Sequence, residues 1–353
     1  MNTILVVTPK NKLGTYLSVG GCMITFGPAF APVVCGALVT AFGWHSIFVV
    51  PIVAMAVLTA LGFFYMKNLE THEAHLDVLS VLLSAVALTV LSFGLTQLTT
   101  DGVLAAAALV LAAAMVAVFV VRQLRCAHPL IDLAPMKNRA FWPALILVTI
   151  AMMSMFSMSV LLPLYYEGAL GRTAFFAGLL LLGPVLVNAA FTFLGGRLFD
   201  KHGAWPLIPA GLVLVLAGQA AAFFSAEGMV AVLIILSSAA VYAGAGFVVA
   251  PSKTAALGTL PSAMYSAGAS INSTAVQIAS DLGSSLFVGV LSADVLRDTA
   301  AGAAKAAAYA SAFAHTLSIA VAIAVAGLLV AFFYARAMRV RKPSSGRSPR
   351  TRR

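Results

Sequence analysis

The chain is a succession of apolar runs, each of about 20 residues and separated by short polar links. No other feature constrains the fold as much. A run of that length crosses a bilayer core of ~30 Å as a helix. Backbone N–H and C=O groups find no water in hydrocarbon, so a spanning segment must satisfy them as a helix or a closed barrel. The runs are too long and too continuous for barrel strands. Composition agrees: 61% of the residues are hydrophobic and 9% charged, where a soluble domain carries roughly 25% charged residues. The mean hydropathy is +1.02. The expectation is an all-α polytopic membrane protein. Abundant Gly and Ala suit close helix packing.

Ten spans are expected, near 13–40, 44–65, 77–98, 103–121, 142–166, 174–195, 205–225, 229–250, 266–291 and 312–335. Lys and Arg in the loops set the orientation. With the N-terminus inside, Lys10, Lys12, Lys67, Arg122, Arg125, Lys137, Arg139, Arg197, Lys201, Lys253 and the eight basic residues of the tail share one side. Arg172, Arg297 and Lys305 fall on the other, 3 of 21. Ten crossings return the C-terminus to the cytoplasm. The expected location is the inner (plasma) membrane, with both termini cytoplasmic. The tail "RAMRVRKPSSGRSPRTRR" reads as a disordered segment held against anionic lipid. Its charge is local, so the net +10 does not point to nucleic acid.

Several function classes are excluded. Cys22, Cys35 and Cys126 form no Cys-x-x-Cys spacing, so neither a disulfide framework nor a zinc site is expected. No His-Glu-x-x-His, Walker loop or Gly-x-Ser-x-Gly occurs, and no enzyme chemistry is expected. "MNTILVVTPKNK" is too short and too weakly basic at its front for a signal peptide; "TILVV" reads as the end of an apolar run.

Two motifs stand out. In "GGCMITFGPAFAPVVCGALV", Gly27, Ala31 and Cys35 are four apart and share a helix face, with Pro28 and Pro32 on the neighbouring one. Small side chains there admit a second backbone at close range. In "GGRLFDKHG", Gly196 and Gly203 permit a tight turn, and Asp200 is placed to cap a helix or pair with a base.

These stretches resemble the major facilitator superfamily. Gly27, Ala31-Pro32 and Cys35-Gly36 are similar to the antiporter signature of that family's fifth span, with two glycines replaced by small residues. Gly196, Leu198, Asp200, Lys201 and Gly203 are similar to its gating-loop signature. "WHSIFVVP", "HPLIDL" (from His128) and "LPLYYEGALGRTAFFAGLLLLGP" resemble its entry to the sixth span, its link into the ninth and its ninth-to-tenth hairpin. The resemblance is closest to the fourteen-span drug:proton antiporter branch, especially the lincomycin-exporter-like members, whose extra central hairpin corresponds to 77–121. It implies efflux of amphipathic or cationic drug-like compounds driven by a proton gradient, with no bound cofactor.

The resemblance also implies a division of the chain. Residues 1–65 correspond to two spans of an N-terminal bundle, 66–122 to a link and the extra hairpin, and 123–140 to a basic link. Residues 141–335 correspond to the six-span C-terminal bundle and 336–353 to the tail. The family's first four spans have no counterpart, so a missing N-terminal segment or a partner polypeptide is expected. The alternatives to an exporter are a non-transporting remnant, one half of a split transporter, and a facilitator for a nutrient or lipid.

The one carboxylate deep in a span is Asp281, in "STAVQIASDLGSSLFVG". At 3.6 residues per turn, Ser270, Thr274, Gln277, Asp281 and Ser284 form one stripe. A stripe of this kind faces the bundle interior or a water-filled cavity, with Gln277 one turn from Asp281 and able to donate to it. Three roles are open for Asp281: proton binding and release, attraction of a cationic drug, or helix packing. Asn188 faces either the cavity or a packed neighbour. Gln97 reads as interfacial. Glu167, beside Tyr165 and Tyr166, reads as a belt residue or an outer gate. Met152, Met153, Met155, Phe156 and Met158 offer an adaptable surface or a Met-rich core.

Overall fold

The computed structural model describes residues 30–31, 33–65, 77–97, 100–126, 129–139, 141–226, 228, 230–261 and 264–340. Gly27, Pro28, Pro32, Cys22, His128, the link at 66–76 and the tail from 341 lie outside the described residues. A short apolar helix α1, Val33–Phe42, comes first. Then follow α2 (Ser46–Tyr65), α3 (Val78–Gln97), α4 (Gly102–Arg125), a 3-10 turn (Ala134–Lys137), α5 (Phe141–Gly168), α6 (Ala174–His202), α7 (Ala204–Ala226), α8 (Ala231–Gly258), α9 (Tyr265–Ala300) and α10 (Lys305–Val340). There is no strand among the described residues. From α2 onward, nine described helices are long and apolar enough to cross a membrane.

Three segments differ from expectation at their ends. The turn expected over Gly196–Gly203 is helical up to His202. Only Gly203 leaves the helix, with φ +76, a conformation L side chains rarely adopt, and its N–H closes on the Phe199 carbonyl at 2.8 Å. The ninth span runs on to Ala300, because Asp294 and Arg297, one turn apart, pair at 3.4 Å and keep a polar extension helical. The last helix begins at Lys305 and reaches Val340, so the first five residues of the basic tail are helical.

Helices α5 to α10 pack as one bundle, and α8 is its most buried member. The run "AGAGF" at 243–247 explains this. A Cβ on Gly211 of α7 would lie 2.8 Å from the Gly244 carbonyl, and one on Gly246 would lie 2.8 Å from the Thr192 nitrogen of α6. Both neighbours therefore approach α8 at backbone distance. One apolar core gathers Leu161, Tyr165, Tyr166, Phe313 and Leu317. A second gathers Phe141, Leu147, Ile208, Val248 and Ala331. The two tyrosines are buried rather than lipid-facing: Tyr165 Oη donates to the Ala226 carbonyl at 2.9 Å and Tyr166 Oη to that of Ala231 at 2.5 Å. They tie α5 to the turn between α7 and α8.

The α3–α4 hairpin closes on a seam of small residues, with Ala87 and Gly94 facing Ala105, Ala108 and Ala112, all buried. Asp101 caps α4, accepting from the Val103 and Leu104 nitrogens at 3.1 and 3.0 Å. At the hairpin's other end, Asp77 takes two hydrogen bonds from Arg122, at 2.8 and 3.0 Å. Helix α2 makes no extensive contact with another described helix and exposes apolar residues all round, among them Phe48, Ile52, Phe63 and Phe64.

Candidate functional site

The site is built on α9, which touches both the bundle and the hairpin. A Cβ on Gly283 would lie 3.1 Å from the Met153 carbonyl of α5, and one on Gly289 would lie 3.2 Å from the Leu95 carbonyl of α3. Six residues apart, these two glycines point to different sides of the helix. One seats α9 against the bundle; the other seats the hairpin on α9. Two residues before Gly283, Asp281 accepts a hydrogen bond at a carboxylate oxygen from the Ser92 hydroxyl of α3. Ser92 then Thr96 on α3 meet Asp281 then Gly289 on α9. The two helices thus ascend together, as the five helices between them, α4 to α8, require.

Ser92 is a cross-helix donor by exception. Ser84, Thr89 and Thr96 on the same helix each bond back to a carbonyl three or four residues earlier, the usual fate of a hydroxyl in an apolar helix. Asp281 is half-buried, and no Lys, Arg or His pairs with it among the described residues. The pairing suits both protonation states. A serine hydroxyl donates to a carboxylate and accepts from a carboxylic acid.

Other expected residues are distributed less simply. Gln277 is exposed and makes no hydrogen bond to Asp281; Ser270 is also exposed, and Thr274 is intermediate. The stripe is therefore only partly interior, and its inner contact is the hairpin. The Asn188 amide donates to the Tyr242 carbonyl at 2.8 Å, joining α6 to α8. Met158 lies in the core, and Met155 packs against it. Gly196, Leu198 and Lys201 lie within α6, and the Asp200 side chain lies outside the described residues.

Of the small-residue motif, Ala31, Cys35 and Gly36 are described. Gly36 is buried, and a Cβ on it would meet the Ala174 carbonyl at 2.5 Å and the Phe175 Cα at 2.8 Å. Its lack of a side chain lets α1 rest on the first turn of α6. Beside that contact is a cavity of about 240 Å³, bordered by Cys35, Gly36, Ser159, Pro163 and Glu167. Glu167, exposed to solvent in part, sits at its wall.

Sequence reasoning passed over two groups. Ser92 resembles any hydroxyl in an apolar run and carries no local signal. At the α9–α10 junction, His315 Nδ1 lies 2.5 Å from Asp294. There Arg297 bridges Asp294 and Asp298, and Ser311 donates to Asp298 at 2.8 Å. The spacing of 21 residues between Asp294 and His315 shows only once the two helices fold back on each other.

Comparison with known proteins agrees with this architecture. The chain matches the Major Facilitator Superfamily over residues 1–284. It is 31% identical over 299 residues to the lincomycin resistance protein LmrB of Listeria monocytogenes, covering 83% of this chain and 63% of that protein. It is 32% identical over 301 residues to the LmrB of Bacillus subtilis, covering 83% and 62%. The chain thus spans less than two thirds of the length of these relatives. Among solved structures, a bacterial homologue of the human lysosomal transporter Spinster, inward-facing and unoccupied, superposes with a TM-score of 0.56 at 16% identity, covering 96% of this chain and 74% of that one. This is a multi-pass membrane protein, and the chain belongs to the major facilitator superfamily.

Proposed function

We propose that this protein takes part in proton-coupled export of amphipathic or cationic compounds across the inner membrane, with both chain ends cytoplasmic. The observation that carries the reading is Asp281, an intramembrane carboxylate without a cationic partner among the described residues, at the seam between hairpin and bundle. Intramembrane carboxylates mark ion and proton pathways. Asp281 is the proton-binding group. Alternating access moves two bundles about a central site, and α9, touching α5 on one side and α3 on the other, is positioned to report protonation to both. Coupling requires proton and drug to favour opposite-facing states. The names of the lincomycin resistance relatives support the substrate class, and so does the seat of Gly36 on α6, which matches the antiporter-type signature.

The test is resistance in bacteria stripped of their own exporters. Cells expressing the chain should tolerate higher concentrations of lipophilic cations and of lincomycin than cells with an empty vector. Equal sensitivity, with the folded protein present in the membrane, removes the exporter reading for this chain and leaves a non-transporting membrane protein.

A further inference from the structure

A groove of about 650 Å³ runs along the outside of the hairpin at its basic end. Its walls are Leu79 and Leu83 of α3 and Ala117, Val118 and Val121 of α4, and its mouth carries Arg122 and Arg125. The volume is that of a small-molecule site. We propose that this groove is a binding site for an anionic phospholipid, with an acyl chain along the apolar walls and the headgroup phosphate on Arg122 and Arg125.

The charges favour that occupant. Asp77 engages Arg122 through Nε at 3.0 Å and Nη2 at 2.8 Å, and Ser80 Oγ accepts from Nε at 3.2 Å. These bonds fix the guanidinium plane through Nε and Nη2, with the side chain 37% exposed. Arg125, one turn nearer the helix end, is exposed and has no acidic partner among the described residues. Asp77, Arg122 and Arg125 together carry one net positive charge, the complement of one phosphodiester. Arginines in the last turn of a spanning helix reach the headgroup level while their stems stay in apolar surroundings. Basic pockets between helices at that level suit anionic headgroups. The backbone around the mouth is held still: Gln123 donates to Ser80 at 2.8 Å and accepts from the Ile131 nitrogen at 3.1 Å. A free phosphate would satisfy the arginines and leave the apolar walls uncovered. Transport is not required for this site to exist.

The experiment uses the purified full chain in mild detergent. Dioleoyl-phosphatidylglycerol or dioleoyl-phosphatidylcholine is added, and bound lipid is counted by native mass spectrometry. The anionic lipid should bind preferentially. Arg125→Gln should weaken it about fivefold, the scale of one basic residue at a lipid surface. Ala117→Phe, which fills the groove, should weaken both lipids. Arg172→Gln, a basic residue outside the groove, should change nothing, and inorganic phosphate at equal concentration should not compete. Equal retention of the two lipids, an unaffected Arg125→Gln, an equal loss in Arg172→Gln, or competition by phosphate alone would each overturn the assignment. Thermal melts of each variant separate lost binding from lost fold.

Discussion

The Ser92 hydroxyl of the hairpin donates to the Asp281 carboxylate of α9, making a polar contact between two otherwise apolar helices. Interhelical hydrogen bonds in membranes contribute on average about 0.6 kcal/mol and at most about 1.7. Ser92→Ala should therefore lower thermal stability slightly, by less than about 2 kcal/mol. Asp281→Asn should cost less still, because its carbonyl oxygen accepts the same bond. Melting curves of the purified variants check both. A larger loss for Asn than for Ala would show that Ser92 is not the partner that matters.

Gly289 is the second fastener of that seam. Gly289→Leu forces a side chain into the Leu95–Thr96 backbone of α3, where a Cβ alone would come within 3.2 Å of a carbonyl oxygen. Overpacking of this kind costs roughly 1–3 kcal/mol. The expected outcome is a hairpin levered off α9 while the six-helix bundle persists, seen as faster proteolysis in the loops around residues 77 and 126. Unchanged digestion of those loops would mean that the hairpin is held elsewhere.

Gly36 makes the corresponding contact between α1 and α6. Gly36→Val should push α1 away from Ala174 and open the adjoining cavity, so that Cys35 reacts faster with a membrane-permeant maleimide. Cys126 supplies the internal reference. Equal rates in variant and parent would place Cys35 away from the α6 surface.

The hairpin's basic end should depend on pH. The Arg122 guanidinium beside Asp77, helped by Ser80, holds its carboxyl well below the usual carboxylate range. A depressed folded-state pKa stabilises the protein above the unfolded value of about 4, and that stability is lost as pH falls toward the folded value. The melting temperature of the parent should exceed that of Asp77→Asn at neutral pH, and the gap should narrow below pH ~4. A gap constant across that range would contradict the pairing.

Much of the fold could be read from residue patterns, because lipid leaves few choices. The run from Val78 to Gln97 is a spanning helix in the sequence and in the structure. Helix ends were harder to place. Hydropathy falls at Leu291, yet α9 continues, since the Asp294–Arg297 pair sustains a helix without an apolar face. The turn expected from Gly196 fails for a similar reason: a glycine permits a turn without requiring one, and Arg197 lies over the Phe193 ring at 4.3 Å, a contact made within an unbroken helix. At the site, Asp281 declared itself as a charge in an apolar run. Its partner did not, because one serine among the five hydroxyl residues of α3 differs from the others only in what stands opposite. The burial of Tyr165 and Tyr166 against α7 and α8 carries no local signal, because it depends on helices about 60 residues downstream.

The central claim is that Asp281 carries the proton that drives export, and reconstituted vesicles test it most directly. With the chain in proteoliposomes, a fluorescent lipophilic cation should move against an imposed proton gradient, and protons should leak back in step with it. Asp281→Asn, which keeps the Ser92 bond, should still bind the cation but should abolish the gradient dependence. Gradient-driven movement persisting at the parent rate in Asp281→Asn would contradict the account.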